Sequence, residues 1–291
     1  MKNFIAETEL ILNPDGSIYH LKLLPENIAD TIILVGDQER VDEISKHFDS
    51  IEFKMQNREF VTHTGYIGTK KITALSTGIG TDNIDIVLNE LDALANIDLK
   101  TRTIKSKKKS LNIIRIGTSG ALQKNILPDS FVVSSHGLGF DGLLNYYSNL
   151  DQVCEKKISE HFIKHTQWNS LLPYPYVVKG SEKLIKKIGK DFFSGITATA
   201  PGFYGPQGRQ LRLKPLIHDL NEQLTSFRYK DLKITNFEME TSALYGLSKK
   251  LGHNACTVCL IIANRVIKKY SKNYHQTMDK LITIILGRLT A

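Results

Sequence analysis

Apolar residues in this chain come in short dense runs, and the stretches between them carry apolar positions at three- and four-residue spacing. The dense runs near 31–35, 60–66, 71–76, 111–116, 130–135, 175–179, 194–199 and 255–263 predict strands. The spaced stretches near 38–48, 82–95, 181–189, 239–251 and 274–289 predict helices. The two kinds intersperse from end to end, so the reading is an α/β fold with a single domain over 1–291. No internal repeat or low-complexity linker interrupts the pattern. Residues 205–233, rich in Leu, Lys and Arg, follow neither period.

Composition changes this picture little. The 291 residues are 41% hydrophobic and 23% charged, ordinary for a globular chain that buries a sizeable core. Acids interrupt "MKNFIAETELILNPDG" before a signal-peptide core develops, and no apolar run reaches the roughly 18 residues of a membrane span. A soluble cytoplasmic protein with no membrane partner is expected. Net charge is +8, and "KTRTIKSKKK" at 100–109 holds six basic residues and no acid. With no aromatic residue interleaved to stack on bases, the segment reads as a solvated helix-to-strand loop, and no nucleic-acid partner is expected. Cys256 and Cys259 lie in "ACTVCLIIA", where strand alternation points them to opposite faces. With Cys154 they read as small apolar residues, and no metal site is certain.

The chemistry gathers where strands end, since ligands of open α/β sheets collect beyond the carboxyl ends of the strands. In "IILVGDQERV" a strand runs into Gly36 and a helix whose first turn holds Arg40. A cation there opposes the helix dipole unless an anion lies beyond it; a plain strand–helix turn fits equally well. In "IIRIGTSGAL" Arg115 stands inside an apolar strand and needs a carboxylate or a phosphate as partner. A turn, Gly117-Thr118-Ser119-Gly120, is expected directly after it. "STGIG" at 76–80 either lines the same cavity or permits close packing, and Arg58 in "NREF" is by default a surface arginine. In "NFEMETSALYGLSKKLG" Glu238 and Glu240 flank a helix start, where acids cap by default. The small residues after them suggest a start packed inside the protein, where a carboxylate wants donors. The Gly/Pro loop "FYGPQGR" carries Gln207 and Arg209 one residue apart behind an aromatic pair.

Taken in order, "VGDQERV", "NREF", "STGIG", "IRIGTSGA", "FYGPQGR", "FEMET" and "ANR" resemble the nucleoside phosphorylase family over about residues 20–265, most of all its uridine-specific branch. The resemblance implies a mixed, partly barrel-like central sheet flanked by helices. It also implies assembly as homodimers or trimers of dimers, and reversible phosphorolysis of a nucleoside with inorganic phosphate as co-substrate. The implied phosphate site is Gly36, Arg40, Arg115 and Thr118, joined by Arg58 of the partner subunit. Met239 and Glu240 would hold ribose, with His20 of "IYHLKL" reaching across the dimer to the 5′-hydroxyl. Gln207 and Arg209 would read the uracil edge, with Phe203, Gly120 and Arg265 around the base. The catalytic residues implied are Arg209, Gln207, Glu240 and Arg115. No cofactor is required; family members can hold potassium near positions matching Glu59, Ile79 and Asn83, and Asn83 departs from the family's serine.

Uracil presents carbonyl oxygens beside an N–H, which one amide and one guanidinium can match. Charge spreads onto those oxygens as the glycosidic bond breaks, so a fixed guanidinium stabilises them most at that moment. The purine branch places an aspartate acid near "ANR", where this chain has the neutral Asn264. The expected activity is phosphorolysis of uridine to uracil and ribose 1-phosphate. A phosphorylase of broader or purine base preference is the alternative, and a non-catalytic nucleoside or nucleic-acid binder the other class.

Overall fold

The computed structural model describes residues 4–291. Its strands are β1 (Thr31–Val35), β2 (Ser50–Asn57), β3 (Phe60–Ile67), β4 (Lys70–Ser76), β5 (Ile97–Asp98), β6 (Thr103–Ile104) and β7 (Asn112–Ala121). They continue with β8 (Phe131–Gly139), β9 (Tyr176–Lys179), β10 (Phe193–Thr199), β11 (Arg228–Tyr229), β12 (Leu232–Glu238), β13 (Asn254–Asn264) and β14 (Lys269–Tyr270). The helices are α1 (Glu39–Ser45), α2 (Thr81–Asn96), α3 (Lys156–Thr166), α4 (Glu182–Ile188), α5 (Leu220–Ser226), α6 (Thr241–Leu251) and α7 (Tyr274–Thr290).

The main sheet runs β11-β12-β10-β8-β13-β7-β1-β4-β3-β2. A further antiparallel pairing joins β12 back to β7 through Asn236–Ala121 and Phe237–Gly120. Strands β7, β13, β8, β10 and β12 therefore close into a mixed barrel, from which β1, β4, β3 and β2 extend as an open wing. Strand β7 belongs to both parts. Its first half pairs with β1, and its whole length with β13. Here one expectation is corrected: Gly117-Thr118-Ser119-Gly120 is no turn but the second half of β7. Small residues let a strand bend sharply while keeping its ladder, and β13 answers with a register shift between Ile261 and Ala263.

Apolar periodicity explains the layers. Ile84, Val87, Leu88 and Leu91 of α2 meet Leu244 and Leu247 of α6 in one core. Leu281, Ile282 and Ile285 of α7 meet Ile114, Ile116 and Val258 of the sheet in another. Each such side chain contributes about 1.5–3 kcal/mol on full burial. Outside the predicted set lie the barrel strand β12, the two-residue strands β5, β6, β11 and β14, and also β2, α3 and α5. The edge strand β2 alternates between exposed and half-buried residues and has no apolar run to announce it. Helix α3 packs through Ile158 and Phe162 in an otherwise polar stretch, and α5 through Leu220 and Leu224 inside the segment that followed neither period. The basic segment begins in a two-residue hairpin, Ile97–Ile104 and Asp98–Thr103, and then runs largely exposed to β7. Among the described residues no helix is long and apolar enough to cross a membrane. Cys256 and Cys259 are both buried thiols, and burial pushes Cys259 up to about 12.

Candidate active site

Strand β7 delivers Arg115 into the interior, where its side chain is almost fully buried. Its Nη2 donates to Oε2 of Glu240, and its Nη1 lies 3.8 Å from Oε2 of Glu238. Burial opposes the guanidinium charge, but Glu240 and then Glu238 outweigh it and raise the pKa of Arg115. Gly117 is required by this arrangement, because a Cβ there would overlap Nη1 of Arg115. Oε1 of Glu240 accepts from the Gly80 amide at 2.9 Å, tying it to the "STGIG" loop between β4 and α2. The loop's Gly78 carbonyl lies 3.4 Å from where a Cβ of Gly36 would stand, and Arg115 Nη2 lies 3.9 Å from the same point. Gly36, "STGIG", Arg115 and Glu240 are thus one neighbourhood. The "STGIG" loop both bonds Glu240 through Gly80 and packs closely on Gly36 through Gly78.

Glu238 is both the cap expected of it and more. Its oxygens accept from the amides of Glu240 (2.9 Å) and Thr241 (3.0 and 3.1 Å) at the start of α6, and from the Thr199 hydroxyl at 2.7 Å. Burial first, and then the charge of Glu240, raise its pKa to about 7 against the lowering effect of Arg115. Arg40, in the first turn of α1, is half-buried, with Glu43 at 3.9 Å. Burial lowers its pKa, and the charge of Arg115 adds to that, so the two guanidiniums act on each other. Among the described residues Arg115 Nε, Arg115 Nη1 and Arg40 Nε are buried donors without a partner. Each such donor costs about 1–3 kcal/mol until an acceptor arrives. Thr118 on β7 and Met239 before α6 are half-buried beside this group in sequence.

A second group forms at the far end of β7. Gly120 packs against Arg265, whose Cγ lies 3.4 Å from the position of a Cβ. Arg265 Nη2 donates to the carbonyl of Gln207 at 3.3 Å. Gln207 is buried, although its loop is otherwise largely exposed. Arg209 folds back on the loop: its Nη1 donates to the Phe203 carbonyl at 2.6 Å and to Oε1 of Gln207 at 2.5 Å. Its guanidinium stacks 3.7 Å over the Phe203 ring. Burial, then the charge of Arg265, lowers the pKa of Arg209 to about 10. Asn264 is fully engaged. Its amide donates to the carbonyls of Gln123 (2.9 Å) and Ile126 (2.7 Å), and its oxygen accepts from the amides of Val266 (2.9 Å) and Ile267 (3.0 Å).

A third group gathers around His20 and Arg58. His20 Nδ1 meets Glu90 at 2.6 Å, and Arg58 reaches the Tyr19 hydroxyl at 3.4 Å. Arg58 is exposed at the β2–β3 turn with φ 55°. Glu59 and Asn83 flank Gly78, beside Ile79, which is 67% exposed. Among the described residues no cluster of three or more His, Cys, Asp or Glu could hold a metal ion. Sequence reasoning missed Gly117 and the bond between Arg115 and Glu240. A glycine two residues after an intrastrand arginine, on the same face, is the signal that could have found the first.

Comparison with known proteins places this barrel and its buried Arg115–Glu240 pair in a pentosyltransferase. The profile described as "Phosphorylase superfamily" matches residues 30–286, and the chain belongs to that family. Its relatives include the uridine phosphorylase of Thermococcus kodakarensis, 27% identical over 266 residues, covering 89% of this chain and 81% of the relative. The uridine phosphorylase of Haemophilus influenzae is 27% identical over 280 residues, covering 93% and 96%. Among solved structures, a nucleoside phosphorylase of Trypanosoma brucei described as showing uridine phosphorylase activity is 31% identical. It superposes with a TM-score of 0.85 over 97% of this chain and 99% of its own.

Proposed function

We infer that this protein is a uridine phosphorylase, a pentosyltransferase that converts uridine and phosphate to uracil and ribose 1-phosphate. The observation that carries the base assignment is the Gln207–Arg209 couple, seated by Arg265 against Gly120 on the strand that also carries Arg115. In the reaction an oxygen of phosphate forms a bond to C1′ while the C1′–N1 bond breaks. The electron pair passes to uracil, which then takes a proton. Gly36, Arg40, Arg115 and Thr118 hold the phosphate, whose oxygens supply the acceptors that the unpartnered guanidinium nitrogens lack. Met239 and Glu240 hold the ribose, and Glu240 exchanges its bond with Arg115 for the sugar hydroxyls. Uracil takes the place of the internal Arg209–Gln207 bond, with Phe203 beside it. Holding both reactants in one site can supply several kcal/mol, up to about 7–11 for ideal geometry. No covalent enzyme intermediate is needed.

A homodimer completes the site in this proposal, whether alone or in a trimer of dimers. Arg58 and His20 meet at Tyr19 rather than at Arg115, which fits residues serving a neighbouring copy. Potassium between the subunits would draw on Glu59, Ile79 and Asn83, which gather at Gly78. A purine preference is disfavoured: Asn264 spends its amide on two backbone carbonyls, and a neutral amide delivers no proton to a purine ring. The test compares uracil release from uridine with hypoxanthine release from inosine in phosphate buffer. A preference for uridine of about 100-fold or more in kcat/KM is expected, the scale of a site whose buried polar groups match only one base. Equal rates would overturn the base assignment.

A further inference from the structure

A cavity of about 710 Å³ lies behind the base loop rather than at Arg115. Phe140, Trp168, Ile217 and Leu220 line it on one side, and the chain from Leu211 to Leu216 on the other. Of the couple that reads the base it includes Arg209 alone; Gln207, Arg265, Glu240 and Arg115 are not among its walls. Phe140 and Trp168 stack at 4.8 Å, and the indole N–H is spent on the Pro173 carbonyl at 3.0 Å, leaving an apolar surface with no polar demand. Leu211, Leu213 and Leu216 are 71%, 86% and 57% exposed, unusual for three leucines on one short segment. A cavity of this size, largely apolar with a few convergent polar groups, has the dimensions of a small-molecule site.

Its charges are all of one sign. Arg209, Arg212 and Lys214 line it, and no Asp or Glu does. Arg212 and Lys214 are exposed, and among the described residues neither forms an ion pair with a carboxylate. An apolar body would cover the leucines and the aromatic pair, and one anionic head would answer the cations. We propose that this cavity is a second ligand site, for a small molecule with an aromatic or branched aliphatic body and a single carboxylate. Tyr204, Gly205 and Pro206 form part of its wall, so an occupant also braces the loop that presents Gln207 and Arg209.

The chain contains one tryptophan, and it lines the cavity, so intrinsic fluorescence reports occupancy directly. Titration of the full-length protein with 4-phenylbutyrate is expected to change the Trp168 signal saturably, with a Kd of about 1 mM or tighter. The neutral 4-phenylbutyramide should bind about five- to tenfold more weakly, the size that two solvent-exposed charge pairs supply. The double variant R212S/K214S should lose that same factor for the acid and none for the amide, while keeping the wild-type melting temperature. Saturating uridine and phosphate should leave the acid in place. A signal that never saturates, equal binding of acid and amide, or displacement by uridine and phosphate would each overturn the proposal. The readout needs no catalysis, so its failure and that of the phosphorylase assignment are distinguishable.

Discussion

Replacing Glu240 by glutamine should separate the two ligands of the proposed reaction, because Glu240 serves one and competes with the other. Its Oε2 accepts from Arg115 and its Oε1 from the Gly80 amide at 2.9 Å, and glutamine keeps an acceptor for one of them without the charge. A unit pair about 4 Å apart at an effective dielectric of about 20 is worth about 4 kcal/mol. Glu238, 3.8 Å from Nη1 of Arg115, takes up part of what is lost. If roughly a third of that energy passes to an incoming anion, phosphate binds about tenfold more tightly to E240Q. Sugar hydroxyls lose a charged acceptor worth about 1.5–3 kcal/mol each, so uridine kcat/KM falls by about 100- to 1,000-fold. Calorimetric titration of phosphate and steady-state kinetics with uridine measure the two effects on one preparation. Weaker phosphate binding in the variant, or unchanged uridine kcat/KM, would refute the roles given to Arg115 and Glu240.

Arg209→Met should lower kcat for uridine by about 100- to 1,000-fold, as removal of one charge-stabilising donor does, while the melting temperature moves little because the loop is largely exposed. Gly117→Ala places a methyl group against Nη1 of Arg115, so it should cost about 1–3 kcal/mol in urea unfolding and weaken phosphate binding. Asn264→Asp sets a carboxylate against the carbonyls of Gln123 and Ile126; it should lose about 2–4 kcal/mol of stability in the same assay and gain no inosine cleavage. The folded state raises the pKa of Glu238 to about 7 from 4.5, so its contribution to stability is complete below pH 4.5 and is lost as pH rises through 7. A melting curve against pH should show that decline in the wild type and a flatter profile in E238Q; identical profiles would contradict it.

Periodicity located β1, β3 and β4 of the open wing and the long helices α2 and α7 because their faces are densely apolar: β1 is buried at every position, and α2 and α7 follow the predicted spans closely. Barrel closure was out of reach of any local pattern. The β12–β7 pairing joins Phe237 to Gly120, far apart in sequence, while Cys259, Leu260 and Ile261 of β13 pair with Gly117, Thr118 and Ser119, and these distant partners turn an apparent G-T-S-G turn into strand. Helix α3 was hidden because only a few apolar residues face the core, and β2 because an edge strand can stay polar. At the site, an arginine inside an apolar strand announced a buried charge by chemistry alone. Its partners did not follow from spacing, since Glu240 reaches Arg115 only through the turn at α6, which Glu238 pins by accepting from the amides of Glu240 and Thr241. Nor did spacing announce that Arg209 rests on the Phe203 ring and donates to Gln207.

The account stands on phosphate as the group that attacks C1′ beside Arg115. The most direct measurement is the initial rate of uracil release at saturating uridine as phosphate is raised from zero. The rate should begin at the background and climb to a plateau, with ribose 1-phosphate formed one for one with uracil. Release that proceeds equally well without phosphate, yielding free ribose, would contradict it.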